Sequence, residues 1–173
     1  MLKMFSTQLT GLFKRLQEKE EFAIEDSARL LAQAAAGDGK IYIYGTHEMS
    51  SIGYEATQSM EPLRDAAIWG NDNEISETDR LIIFSRYSDD DEAISLAKKL
   101  ADKGIPFVAV STEKADRSEN LANLADVHID LKLTKGLLPD EEGNRFGYPA
   151  SMAALFVYYG IKFTIEEILA EYE

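Results

Sequence analysis

Cysteine is missing from all 173 residues, which excludes a disulfide scaffold, thiol catalysis and cysteine zinc sites. Bases are scarce: 18 lysines and arginines face 31 acids, for a net charge of −13. Such a field repels nucleic acid and anionic membrane surfaces, so neither is an expected partner. It also makes an anionic metabolite harder to hold, unless backbone N–H groups or a few bases reverse the sign locally. Long apolar runs are lacking too. The longest, residues 152–159, falls far short of the roughly 20 residues a membrane span needs. The N-terminus MLKMFSTQLTGLFKRLQEKE has no unbroken apolar core of the signal-peptide kind, so a cytoplasmic protein is the simplest expectation. No dinucleotide fingerprint, P-loop or nucleophile elbow occurs, and no cofactor or metal is implied.

What is present suits one globular domain over residues 1–173, with one sizeable core. Leu9, Leu12, Phe13 and Leu16 recur at helical spacing and predict a helix over 4–18. A second helix is expected over 24–36, stopped by Gly37. Apolar runs predict strands at 40–44, 66–69, 80–85, 105–111 and 127–131. Helices are expected after Glu48 (closed by Pro62), over DDDEAISLAKKLADKG, over 118–124, and over 150–172 with a break near Gly160 and Thr164. Two leading helices followed by alternating strands and helices imply a three-layer α/β/α sandwich around a five-stranded parallel sheet. In such sheets ligands bind beyond the carboxyl ends of the strands, at a switch in strand order. That rule selects the turns after Tyr44, Trp69, Ser85 and Ser111, and the loop after Leu131.

The stretch KIYIYGTHEMSSIGYEATQSME joins an apolar strand, a glycine turn and a helix start carrying Ser50 and Ser51. The segment TDRLIIFSRYSDDDEAISLAKKLADKGIPFVAVST has an aspartate, an apolar strand, a serine-containing loop, a helix and a lysine–glycine entry into the next strand. LANLADVHIDL follows. In this order the segments resemble the sugar isomerase (SIS) domain family, and the phosphoheptose isomerases within it, over nearly the whole chain. The resemblance implies a sugar-phosphate ligand, and assembly as a homodimer or homotetramer through the helices. It also implies hydroxyls of the two loops on the phosphate, with a glutamate and a C-terminal histidine moving protons. Here the first loop is Thr46-His47-Glu48-Met49, the second carries Arg86, Tyr87 and Asp89 to Asp91 among its serines, and the C-terminal helix has no histidine.

A helix start offers unpaired N–H groups and partial positive charge, so an anion is expected at Gly45, Thr46, Glu48, Ser50 and Ser51. Ser85 and Ser88 supply the second loop's hydroxyls. Ser88 is also a fair N-cap, and the acids after it already satisfy their helix end. Consecutive helical carboxylates diverge, which argues against a metal there. Arg86 restores attraction for an anion or pairs with those acids. Lys135 and Arg145, two bases in the glycine-rich loop KGLLPDEEGNRFGYP, are expected to reach in. For proton transfer the candidates are Glu61, two positions from the family's glutamate, and His47. His128 lies inside a strand and reads as a packed histidine. Three functions follow: a phosphosugar isomerase, an SIS domain that senses a phosphosugar or related anion without turnover, or a structural member of an assembly with a vestigial site.

Overall fold

The computed structural model describes residues 1–114 and 118–172. Its first element is one helix, α1 (Leu2–Ala36), where the sequence predicts two. The polar run Lys19-Glu20-Glu21 looks like a connection, but it contains neither glycine nor proline to end a helix. Glu20 is in fact buried. Its carboxylate accepts the Asp130 N–H at 3.3 Å and lies 3.1 Å from Lys132 Nζ, so a polar residue sits on the helix's inner face.

Strands β1 (Ile41–Gly45), β2 (Ala66–Ile68), β3 (Arg80–Tyr87), β4 (Phe107–Thr112) and β5 (Val127–Asp130) form a parallel sheet in the order β2-β1-β3-β4-β5. Helices α2 (Ser51–Gln58), α3 (Asp91–Asp102) and α4 (Leu121–Leu124) follow β1, β3 and β4. The last helix, α5 (Ala150–Ala170), runs unbroken. Gly160 does not end it: a Cβ there would meet Ile24 Cγ2 at 3.3 Å, so the glycine lets α5 lie close against α1. Thr164 stays helical and donates its hydroxyl to the Gly160 carbonyl at 2.9 Å. After β5, the two-residue strands β6 (Leu138–Pro139) and β7 (Arg145–Phe146) pair as a small hairpin.

Strand alternation divides the core in two. Ile41, Ile43, Ile82, Phe84, Val108 and Val110 pack under α1, α2 and α5. Tyr42, Leu81, Ile83, Phe107 and Ala109 pack under α3 and α4. A sheet buried on both faces needs the continuous apolar runs seen in β3 and β4. Two aspartates tie its amino-terminal edge. Asp79 accepts the Lys40 N–H, the Ser76 N–H and the Ser76 hydroxyl, each at 2.8 Å, which joins the starts of β1 and β3. Asp126 accepts the Phe107 N–H at 2.9 Å and joins the starts of β4 and β5. The carboxyl-terminal edge is thereby left to the loops.

Candidate functional site

From β1 the chain turns outward to β2, then returns past β1 to β3. The order therefore reverses between β1 and β3, and the loops after them flank a crevice at the sheet's carboxyl edge. Gly45 begins the first loop. A Cβ there would lie 2.2 Å from the Met49 carbonyl oxygen, so only glycine allows the tight return. Thr46 is buried; its N–H donates to the Phe84 carbonyl at 3.0 Å and its hydroxyl to Asp90 Oδ2 at 3.3 Å. His47 is exposed and holds a left-handed backbone, φ 50°, an uncommon state for a side chain of its size. Its Nε2 lies 3.9 Å from Asp90 Oδ2.

The helix after this loop begins earlier than its sequence suggests. A 3₁₀ turn, His47–Ser50, leads straight into α2. Ser50 is already helical and caps nothing, and the Ser51 hydroxyl donates to the Glu48 carbonyl at 2.9 Å. The two serines are thus not at the free helix start expected for an anion site.

The second loop differs from expectation as well. β3 continues to Tyr87, with a register irregularity against β4 between Phe84 and Tyr87. Ser85 and Ser88 are fully buried. The Ser85 hydroxyl donates to the Tyr87 carbonyl at 2.7 Å, and Ser88 Oγ accepts the Lys114 N–H at 2.8 Å. Both hydroxyls are buried against backbone, Ser85 within its own loop and Ser88 against the loop after β4. The N-cap of α3 is Asp90, not Ser88: its Oδ1 accepts the Ala93 N–H at 2.9 Å, while Oδ2 faces Thr46 and His47. One carboxylate thus caps a helix and joins the two loops.

Arg86 pairs with Glu48 rather than with the acidic cluster. Its Nε and Nη2 each donate to a different Glu48 oxygen at 2.8 Å, a bidentate fork across the crevice. The hydrogen bonds from Arg86 hold the Glu48 carboxyl below its ordinary range, and the guanidinium is raised in turn. Tyr87 and Tyr148 complete a concavity of about 280 Å³ with this pair. Lys114 Nζ lies 4.2 Å from the centre of the Tyr87 ring. Tyr148 is a wall that sequence reasoning missed; its signal was an aromatic between Gly147 and Pro149, in a loop facing the same edge.

Other predicted site residues lie elsewhere. Glu61 follows α2 while His47 precedes it, so the whole of that eight-residue helix, about 12 Å long, lies between them in the chain. Glu61 is exposed, with Oε2 3.8 Å from the buried Lys162 Nζ. Lys135 and Arg145 do not reach the crevice. With Arg15 and Lys132 they line a second concavity of about 410 Å³, between α1 and the segment after β5, sharing no lining residue with the first. Arg145 is held there because Nε and Nη2 donate to the Gly136 and Leu137 carbonyls at 3.0 and 2.9 Å. Lys132 lies 3.1 Å from Glu20 and 3.5 Å from Asp130. Burial works against its ammonium, but those carboxylates outweigh it and raise its pKa. His128 is a partly buried strand residue bonded to Ser111 Oγ at 2.8 Å, and burial pushes its imidazole down. No group of three or more metal-binding side chains occurs among the described residues, and no helix there is long and apolar enough to cross a membrane.

A family described as a domain of unknown function (DUF2529) matches residues 1–169. The uncharacterized protein YwjG of Bacillus subtilis (strain 168) is 48% identical over 173 residues, covering 99% of each chain. Among solved structures, a phosphoheptose isomerase from Francisella tularensis superimposes with a TM-score of 0.69 at 13% identity, covering 94% of each chain. The Vibrio vulnificus NanR protein, complexed with ManNAc-6P, superimposes at 0.60 with 14% identity, over 98% of this chain and 64% of that one. The α/β fold with its five-stranded parallel sheet is therefore that of SIS-type proteins, a group holding both phosphosugar isomerases and regulators.

Proposed function

The chain belongs to the DUF2529 family, and on that premise we propose that it is an SIS-type module that binds a phosphosugar or related anion without turning it over. One observation carries this: the bidentate Glu48–Arg86 pair spanning the crevice at the β1/β3 switch point. A guanidinium fork there suits a phosphate as well as a carboxylate. In the free protein Glu48 occupies it, so binding is an exchange in which the ligand's phosphate takes Glu48's place. Tyr87 and Tyr148 give apolar faces for the carbon skeleton, and Asp90 and His47 give polar groups for hydroxyls. Sensing is supported by Ser85 and Ser88 being fully buried, with the Ser85 hydroxyl donated to backbone, and by Glu61 lying at the far end of α2 from His47.

The test is thermal melting with fructose 6-phosphate, glucosamine 6-phosphate and sedoheptulose 7-phosphate, followed by an isomerisation assay on any binder. At least one should raise the melting temperature without turnover. Arg86→Ala should remove the rise. Glu48→Gln should bind roughly two- to sixfold more tightly, because an exposed ion pair worth up to about 1 kcal/mol no longer competes. No rise with any of the three would reject phosphosugar binding.

One feature favours an isomerase instead. His47 is exposed at the crevice with Nε2 3.9 Å from Asp90 Oδ2, close enough for a small shift to bring an imidazole and a carboxylate into a proton-transferring pair. Turnover that His47→Ala abolishes, while binding persists, would establish catalysis.

A further inference from the structure

The second concavity breaks the charge pattern of the molecule. In a chain of 31 acids and 18 bases, a lysine or arginine has acids to spare as partners. Yet Arg15, Lys132, Lys135 and Arg145 line one hollow whose other lining residues are neutral. Arg15 and Lys135 are exposed and form no ion pair with another described residue. Arg145 is held by two carbonyl groups, which fix its fork but leave its charge unneutralised; three of its five N–H donors remain. Lys132 is the exception, paired with Glu20 and Asp130. That pairing fixes it: its N–H also donates to Asp130 Oδ1 at 2.9 Å, and its backbone holds a left-handed φ of 56°. Such a conformation in a long side chain persists only where its surroundings impose it. Four cations against the two carboxylates of Glu20 and Asp130 leave about two positive charges in the hollow, inside a field of the opposite sign.

We propose that this hollow is a second anion site, separate from the crevice, that takes the phosphoryl group of a phosphomonoester or diphosphate compound. Arg15 and Lys135 supply the mobile charges, and Arg145 a preorganised fork. The ligand bridges α1 to the segment between β5 and β6, so binding fastens the outer part of α1 to the sheet's edge. This inference stands whether or not the crevice binds a sugar.

Inorganic phosphate and pyrophosphate are the probes, titrated by calorimetry into the full chain and followed by thermal melting. One or both should bind and raise the melting temperature, the tighter of the two indicating a monoester or a diphosphate ligand. The double variant Arg15→Glu, Lys135→Glu alters only exposed side chains, so it should fold, and it should weaken binding at least tenfold. Arg86→Ala should leave the affinity within twofold. No binding of either probe would overturn the proposal. So would binding whose stoichiometry and affinity the double variant leaves unchanged, and so would binding that Arg86→Ala abolishes, which would locate the anion in the crevice.

Discussion

Asp79 and Asp126 illustrate how a residue type that suggests chemistry can serve architecture instead. Each precedes a strand, and each accepts backbone N–H groups at the sheet's amino-terminal edge. Burial opposes the Asp79 charge, but hydrogen bonds from Lys40 and Ser76 outweigh it and hold the carboxyl below its ordinary value. Glu48 is lowered too, chiefly by Arg86. The sign is the same for both. A folded pKa below the unfolded one, which lies near 4, stabilises the fold above that pH, and the benefit disappears as pH falls through the folded value. Asp79→Asn should therefore flatten the acid limb of the stability curve below about pH 4, measured by urea unfolding at a series of pH values. An unchanged limb would mean that Asp79 titrates alike in both states. At this scale the sequence was a partial guide. Gly45 and the switch-point loops are legible because a glycine after an apolar strand has a steric meaning. The roles of Ser85, Ser88 and Arg86 are not, because each partner is fixed by a register irregularity and by contacts up to 38 positions apart.

Among elements, the five strands and the α3 helix followed from apolar runs and turn residues, with boundaries shifted by a residue or two. The two long helices did not. A polar stretch inside α1 and a glycine inside α5 look like endings, and both are contacts: Glu20 with Lys132, Gly160 with Ile24. The same lesson applies to Lys162, which is buried in α5 with Nζ 3.0 Å from Glu166 and 3.8 Å from Glu61. Glu61 thus has a structural partner. Burying an ammonium costs desolvation that an exposed carboxylate repays only in part. Lys162→Met should leave stability unchanged or raise it by about 1 kcal/mol, as read from the chemical denaturation midpoint. A loss of about 3 kcal/mol or more would show instead that the ion pair holds α5 in place.

Across the whole molecule, the net charge of −13 works against compactness by self-repulsion. Raising sodium chloride from about 10 to 150 mM shortens the Debye length from roughly 30 to 8 Å. The melting temperature of the ligand-free protein should rise over that interval, whereas a fall would mean that local ion pairs outweigh the global field. The fold itself was legible at this scale, because alternating strands and helices leave few parallel-sheet arrangements. The separation of the bases into their own hollow was not, since it depends on where the β6–β7 hairpin turns. The Glu48–Arg86 pair also has a consequence for the proposed binding, because an anion must compete with Glu48 for the guanidinium. If the closed form is favoured by about 1 kcal/mol, near the upper end for exposed pairs, roughly one molecule in six is open at any instant. An anion that needs the open form then binds about sixfold more weakly than its contacts alone would give. On the proposed reading, a single carboxylate would then set the concentration at which the crevice begins to fill, without touching the ligand.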